Sequence, residues 1–226
     1  MTLMQIREAN AFSVSDLRAR AKGVLTPPDH RAADQNGSPW RDDFELDPEL
    51  AKLDRSNEKR LAAVLIPVIE RDNQASVLFT QRTDNLPTHA GQISFPGGKM
   101  DSSDANAVDT ALREAREEIS LDPDYVDPIG FLQDYVTSTG YRISPLVAVI
   151  RNGYSIVPDQ NEVAEVFDVP LGFLMDAKNH EIHSREWRGA NRQFYAMPYG
   201  DRFIWGATAG MLRNLYEWIY RVEPSS

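Results

Sequence analysis

A short β-rich run, Ile93-Ser-Phe95, ends in Pro96-Gly97-Gly98 and is followed by a helix that the spacing predicts over Asn106 to Ser120. On that helix Val108, Ala111, Leu112, Ala115 and Ile119 fall at i, i+3, i+4, i+7 and i+11, an apolar stripe that has to lie against a sheet. Glu114, Glu117 and Glu118 fall at i, i+3 and i+4 on an adjoining face, near enough to share one site. Three carboxylates so placed repel one another, so without a cation their pKa values rise and the helix loses stability. Oxygen-only ligands suit Mg2+ or Mn2+, hard ions that keep several waters and bridge to phosphates. A solvated acidic face, partly neutralised by Arg113 and Arg116, is the ordinary account of such a run. The Gly-Gly element argues against it, because its backbone can approach a ligand without side-chain obstruction. Asp101 and Asp104 add carboxylates near the helix start, where the dipole favours them.

The charge balance agrees with a metal-bridged ligand. There are 24 Lys+Arg against 34 Asp+Glu, a formal net charge of −10, which disfavours nucleic acid and anionic membranes as partners. A small polyanionic substrate stays admissible if a divalent ion stands between the two charges. Cysteine is absent, which excludes disulfide frameworks, thiolate zinc sites, iron–sulfur clusters and cysteine nucleophiles. The longest apolar run, Ala62 to Ile69, is interrupted by Pro67 and is far shorter than the ~20 residues a membrane span needs. The first twelve residues lack a basic start and an apolar run, so the expected location is the cytoplasm.

Residues 1–57 read as an extension, packed on the main domain or partly mobile, and residues 58–226 as the main domain. Ser13-Val-Ser-Asp16 resembles a capping box before a short helix, and turn chemistry follows at Thr26 to Arg31 and Asn36 to Trp40. From Ala62 to Ile69 and from Ala75 to Thr80 two strands are predicted around Arg71-Asp-Asn-Gln74, a hairpin signal. Further strands are expected near Ile129 to Tyr135 and Ile143 to Ile150, a short helix at Leu171 to Met175, and a second hairpin from His180–Glu186 and Arg192–Met197. A last helix runs from about Ala207 to Arg221, where Met211, Leu215, Trp218 and Ile219 repeat at helical spacing. Strands, a helix, more strands and a final helix predict an α/β (α+β) fold with a mixed β-sheet clasped by helices.

The segment from Gly98 to Leu121 resembles the box of the Nudix hydrolases, in which a glycine and a glutamate precede Arg-Glu-aliphatic-x-Glu-Glu-x-Gly-aliphatic. Here the last part reads Arg113-Glu-Ala-Arg-Glu-Glu-Ile-Ser-Leu121. Asp104 stands where Glu is usual, one extra residue precedes Arg113, and Ser120 replaces Gly, which changes a helix exit where Gly takes a left-handed conformation easily. The first two departures match the coenzyme A pyrophosphatase branch, which Thr110-Ala-Leu-Arg-Glu-Ala115 also fits. His89-Ala-Gly-Gln-Ile-Ser-Phe-Pro-Gly-Gly98, preceded by Leu78-Phe-Thr-Gln-Arg82, resembles that branch's coenzyme A motif. Gly140 to Pro145, Asn161 to Pro170 and Ile204 to Gly210 extend the likeness.

That resemblance implies an α/β/α sandwich that hydrolyses a phosphoanhydride in a nucleoside diphosphate derivative with Mg2+ or Mn2+. It implies Glu114, Glu118 and Glu117 as metal ligands with the Gly97 or Gly98 carbonyl as a fourth, and Arg113 orienting the carboxylates. Glu117, Glu162 and Glu165 are the candidates for general base, with the box glutamate preferred. Glu162 also reads as an N-terminal charge on a helix capped by Asn161. Coenzyme A would give 4′-phosphopantetheine and adenosine 3′,5′-bisphosphate. Arg82, His89, Lys99 and Arg142 are the cations offered to its 3′-phosphate, with Gln92 and Phe95 beside His89. A lone histidine is more often structural, and Phe203 and Trp205 read either as adenine stackers or as packing. The competing expectations are a Nudix pyrophosphatase for ADP-ribose, NADH or a dinucleotide polyphosphate, and a nucleotide-binding module without turnover. Monomer and homodimer are both open.

Overall fold

Ser13 starts the first helix, α1 (Val14–Ala21), by accepting the Asp16 amide on its hydroxyl, and the Asp16 carboxylate reaches back to the Phe12 amide. The reciprocal bond therefore closes one residue earlier than in the usual capping box. The computed structural model describes residues 11–31, 40–53, 59–86, 88–187 and 189–221; the turn expected at residues 36–39 lies outside them. After α1 come β1 (Trp40–Asp42), β2 (Arg60–Arg71), β3 (Gln74–Arg82), β4 (Ile93–Ser94) and β5 (Gly97–Lys99). The long helix α2 (Ala107–Ile119) is followed by β6 (Val126–Phe131), β7 (Asp134–Val136), β8 (Tyr141–Ile150), β9 (Val163–Pro170) and the single turn α3 (Leu171–Leu174). The chain continues through β10 (Glu181–Trp187), β11 (Ala190–Tyr199), β12 (Arg202–Trp205) and α4 (Ala207–Leu215), which passes into a π-helical turn at Tyr216–Tyr220.

A nine-stranded mixed sheet forms the centre, with β2 parallel to β8 and antiparallel to β3 and β5, and β9 antiparallel to β3. The alternation of β2 divides the core. Ala63, Leu65 and Ile69 meet Ala111, Ala115 and Ile119 of α2 on one face. Val64, Ile66 and Val68 meet Leu17 of α1 and Met211, Leu212 and Leu215 of α4 on the other. Three layers result, as the resemblance implied. On the second side a separate sheet, β10-β11-β12, sends Met197 and Ile204 into the same core.

Three expectations change. The strand expected at Ile129 to Tyr135 is two strands, β6 and β7, on either side of Leu132 and Gln133, and both pair with β8. No helix follows Asn161: Val163–Pro170 is β9, paired with β3 from Ser76 to Arg82. The last helix runs about as far as expected but changes type, with Tyr216–Tyr220 continuing it as a π-helical turn capped at Arg221.

The residues before β2 are tied to this body. Leu17, Ala21 and Leu25 are buried, Thr26 bridges Phe131, and β1 lies parallel to β7 at the sheet edge. The largely covered Asp43 carboxylate accepts from Tyr135 Oη, from the Ser138 amide and hydroxyl, and from Arg192 Nη1 at 2.9 Å. Phe44 packs on Trp187, so one carboxylate and one ring anchor this segment to both sheets.

Candidate functional site

Gly97 and Gly98 are not a free loop but strand β5, facing Val64 and Ala63 of β2. A Cβ on Gly97 would lie 2.5 Å from the Ala63 carbonyl oxygen, and one on Gly98 would lie 2.6 Å from the Glu114 carboxylate. Both glycines are therefore required by close approach, and at Gly98 the group being approached is one of the box carboxylates. Helix α2 starts at Asn106, whose Oδ1 accepts the Val108 and Asp109 amides. It ends at Ser120, which takes the left-handed conformation itself (φ 54°), so loss of the glycine leaves the helix exit unchanged in shape.

The loop between β5 and α2 does not deliver its carboxylates to the helix face. Asp101 folds back on the Ser103 amide. Asp104 accepts two bonds of 2.9 Å from the Arg113 guanidinium and a third from the Thr110 hydroxyl, and Arg113 holds its pKa down at about 2. Arg113 also donates to Glu114 at 2.8 Å, to Glu117 at 2.9 Å and to the Lys99 carbonyl. It bonds two box carboxylates and the Lys99 carbonyl of β5 at once, with Asp104 as its anchor; the resemblance had implied an orienting role for it.

Glu118 lies at the other end of this arrangement and is only 5% exposed. Burial pushes its carboxyl group up to about 8, with repulsion from Glu114 and Glu162 adding to the shift and Arg82 and the Gly97 amide opposing it. The Arg82 guanidinium is 3.9 Å away, and Glu118 Oε2 is buried with no hydrogen-bond partner. Burial also raises Glu114, against the pull of Arg113. Glu117 is more than half exposed and leans on Arg113. Glu162 ends the Asp159–Asn161 turn, where its carbonyl accepts the Thr83 amide, and its charge is felt by both Glu114 and Glu118. Glu165 points elsewhere, to Arg202 at 2.7 Å.

The upstream motif converges on the same end of β3. His89 has a left-handed backbone (φ 57°), bonds Gln92 Oε1 through Nδ1 at 2.7 Å and closes a turn with the Gln92 amide. The Gln92 carbonyl then accepts the Arg82 amide at 3.0 Å. His89 and Gln92 are thus tied to the Arg82 backbone, and it is the Arg82 side chain that reaches Glu118, whereas the Gln92 amide lies near Gly206. Phe95 is not part of that surface: it is 2% exposed and stacked on Phe79 in the core, because alternation after Ile93 turns it inward. Arg142 is committed to the buried Asp134 at 2.6 Å, and Lys99 stands exposed at the end of β5. Phe203 and Trp205 belong to the outer sheet, where Trp205 is covered by Arg185.

A divalent cation fits this donor set. All the side-chain donors are hard oxygens, one buried carboxylate oxygen is left without a partner, and burial, with their mutual repulsion, raises the pKa of two neighbouring carboxylates. Among the described residues no three Asp, Glu or His side chains are grouped as they stand into a cage, since Arg113 holds Glu117 and one side of Glu114.

A family profile described as NUDIX domain matches residues 59–192, more than half of the chain. A protein of Citrobacter koseri, whose curated name is Uncharacterized Nudix hydrolase NudL, is 38% identical over 184 residues, covering 80% of this chain and 95% of its own. The Escherichia coli protein of the same name is 39% identical over 156 residues, 69% of this chain and 81% of that one. In fold, the chain resembles RenU, a Nudix hydrolase from M. smegmatis, with a TM-score of 0.51 at 17% identity over 75% of this chain and 91% of that one. No described helix is long and apolar enough to cross a membrane.

Proposed function

The chain belongs to the Nudix hydrolase family, and from that premise we propose that it hydrolyses the diphosphate bond of coenzyme A or a derivative, releasing 4′-phosphopantetheine and adenosine 3′,5′-bisphosphate. The observation that carries this reading is the His89–Gln92 turn, fastened to Arg82 at the edge of the Glu114/Glu118 pair. It adds an imidazole and an amide to the segment that carries Arg82, the guanidinium next to Glu118, and so offers donors for a ligand with a phosphate beyond its diphosphate.

In this proposal Glu114 and Glu118 hold Mg2+ or Mn2+, with Glu117 and the Gly98 carbonyl as further oxygens. Such an ion, when bound, neutralises the diphosphate and lowers the pKa of water. Arg113 keeps Glu114 and Glu117 turned towards β5 and, through Asp104, holds the helix start in register with the strand. Of the three carboxylates considered for the base, Glu165 is bound to Arg202 and Glu117 to Arg113. We therefore assign to Glu162 the acceptance of the water's proton, at a chain turn close enough to perturb both metal carboxylates. Arg82 and His89 meet the substrate's outer phosphate, with Gln92 fixing the His89 ring.

The test is a product assay with coenzyme A, ADP-ribose, NADH and diadenosine polyphosphates offered in parallel with Mg2+ or Mn2+ and a chelator control. The expected result is chelator-sensitive release of adenosine 3′,5′-bisphosphate, fastest from coenzyme A. Faster turnover of ADP-ribose would overturn the substrate assignment and keep the carboxylate site. No turnover of any of them would favour a binding module.

A further inference from the structure

Strand β10 differs from every other strand in the described structure. All residues from Glu181 to Glu186 are exposed, so both of its faces and its outer edge are open, and its one strand partner is β11. Its neighbours on the outer face are aromatic. His183 stacks on Phe194 at 6.0 Å and meets Phe203 edge-on at 5.4 Å, Phe194 meets Trp205, and Arg185 lies 4.7 Å over Trp205. Ile182 at 55% and Phe203 at 41% are among the most exposed large apolar side chains described, and both sit on this small sheet.

An open edge is normally protected by charges that repel a second copy of itself. The charges of β10 do the opposite. Placed antiparallel to its own copy about a two-fold axis at His183, residue i faces residue 366 − i, so Glu181 meets Arg185 and Ile182 meets Ser184, each pair occurring twice. Opposite charges directly across a strand pair are stabilising, and an isologous interface repeats every such pair. The aromatic surface of Phe194, His183 and Phe203 then continues across the axis.

We propose that β10 is a self-association edge, and that two copies of the chain pair antiparallel through Glu181–Arg185, joining their three-stranded sheets into one of six strands. The occupant is a second copy because the edge is complementary to itself in charge. A foreign strand has no such reason to match it. The surface is separate from the carboxylate site, so the proposal stands or falls independently of the substrate assignment.

Light scattering coupled to size exclusion, on the full chain at about 10–100 μM, tests it. The expected mass is twice the 25.5 kDa of one chain. Arg185→Glu and Glu181→Arg each place like charges opposite one another and are expected to give the monomer mass. The double variant Glu181→Arg/Arg185→Glu restores opposition and is expected to return the dimer. Circular dichroism and hydrolase activity of each variant report that it is folded. A monomeric wild type, a dimer that survives both single reversals, or a folded double variant that stays monomeric would each overturn the proposal.

Discussion

At Glu118 the burial that fixes the carboxyl group's position also holds its pKa near 8, far above its ordinary 4.5. The sign of the linkage follows. In the metal-free protein the unfolded chain ionises this group above about pH 4.5 while the folded chain keeps it protonated, so stability falls as pH rises towards 8 and then levels. Asp104 runs the other way: its carboxyl group is lowered to about 2, so its contribution is present above pH 3.8 and is lost as pH falls. Glu118→Gln removes the first effect. Its melting temperature without metal is expected to exceed that of wild type at pH 8 and to approach it at pH 5, as scanning calorimetry with a chelator would record. Its turnover with Mg2+ is expected to fall by roughly 100-fold or more, since even outer-shell changes at metal sites cost 10–100-fold. A wild-type rate would remove Glu118 from the metal set. The placement of Glu114, Glu117 and Glu118 on one helix was legible from spacing, but not that Arg113 holds Glu117 while Glu118 is buried with Oε2 unpartnered. Asp104 as the anchor of Arg113 was not, because nothing in a sequence shows which way a loop carboxylate folds.

At the scale of elements, α2 is where sequence and structure agree most closely. Its stripe, its cap at Asn106 and its length all follow from periodicity and capping chemistry. Its exit is the exception, since Ser120 holds a left-handed backbone at a cost that glycine would not bear. Ser120→Gly is therefore expected to raise stability by up to about 1 kcal/mol without changing activity, measured by urea unfolding. A loss of stability would mean that the Ser120 side chain matters more than its backbone. Strand β9 was the main element hidden from the sequence. Val163-Ala-Glu-Val-Phe-Asp-Val-Pro170 mixes charges with apolar residues because its Val163 and Val169 face the core while Glu165 and Asp168 reach Arg202 and Arg71. Only the pairing with β3 makes it a strand. That same pairing separates Glu162 from Glu165, two carboxylates the sequence left equivalent.

For the molecule as a whole, the segment before β2 was read as an extension either packed on the main domain or partly mobile, and Leu17, Ala21 and Leu25 lie in the central core while Asp43 is surrounded by donors from β7, from Ser138 and from β11. Turn-rich composition left the two alternatives open and hid the Asp43 anchor, since a single carboxylate leaves no periodic trace. Removing that charge strands Arg192, 3% exposed, without its main counter-ion. Asp43→Asn is expected to cost about 3–5 kcal/mol in urea unfolding, the scale for breaking one partner from a buried pair. A change below 1 kcal/mol would show that Ser138 and the rings of Phe44 and Trp187 suffice to shelter the guanidinium.

The parallel pairing of β1 with β7 sets a timetable for the chain. β1 leaves the ribosome early, but Tyr135 and Arg192, to which its neighbour Asp43 is bound, are among the later residues to emerge. At translation speeds of roughly 5–20 residues per second the nascent N-terminal third must wait on the order of ten seconds for its binding partners. Until Trp187 emerges, Phe44 lacks the ring it packs on in the folded chain.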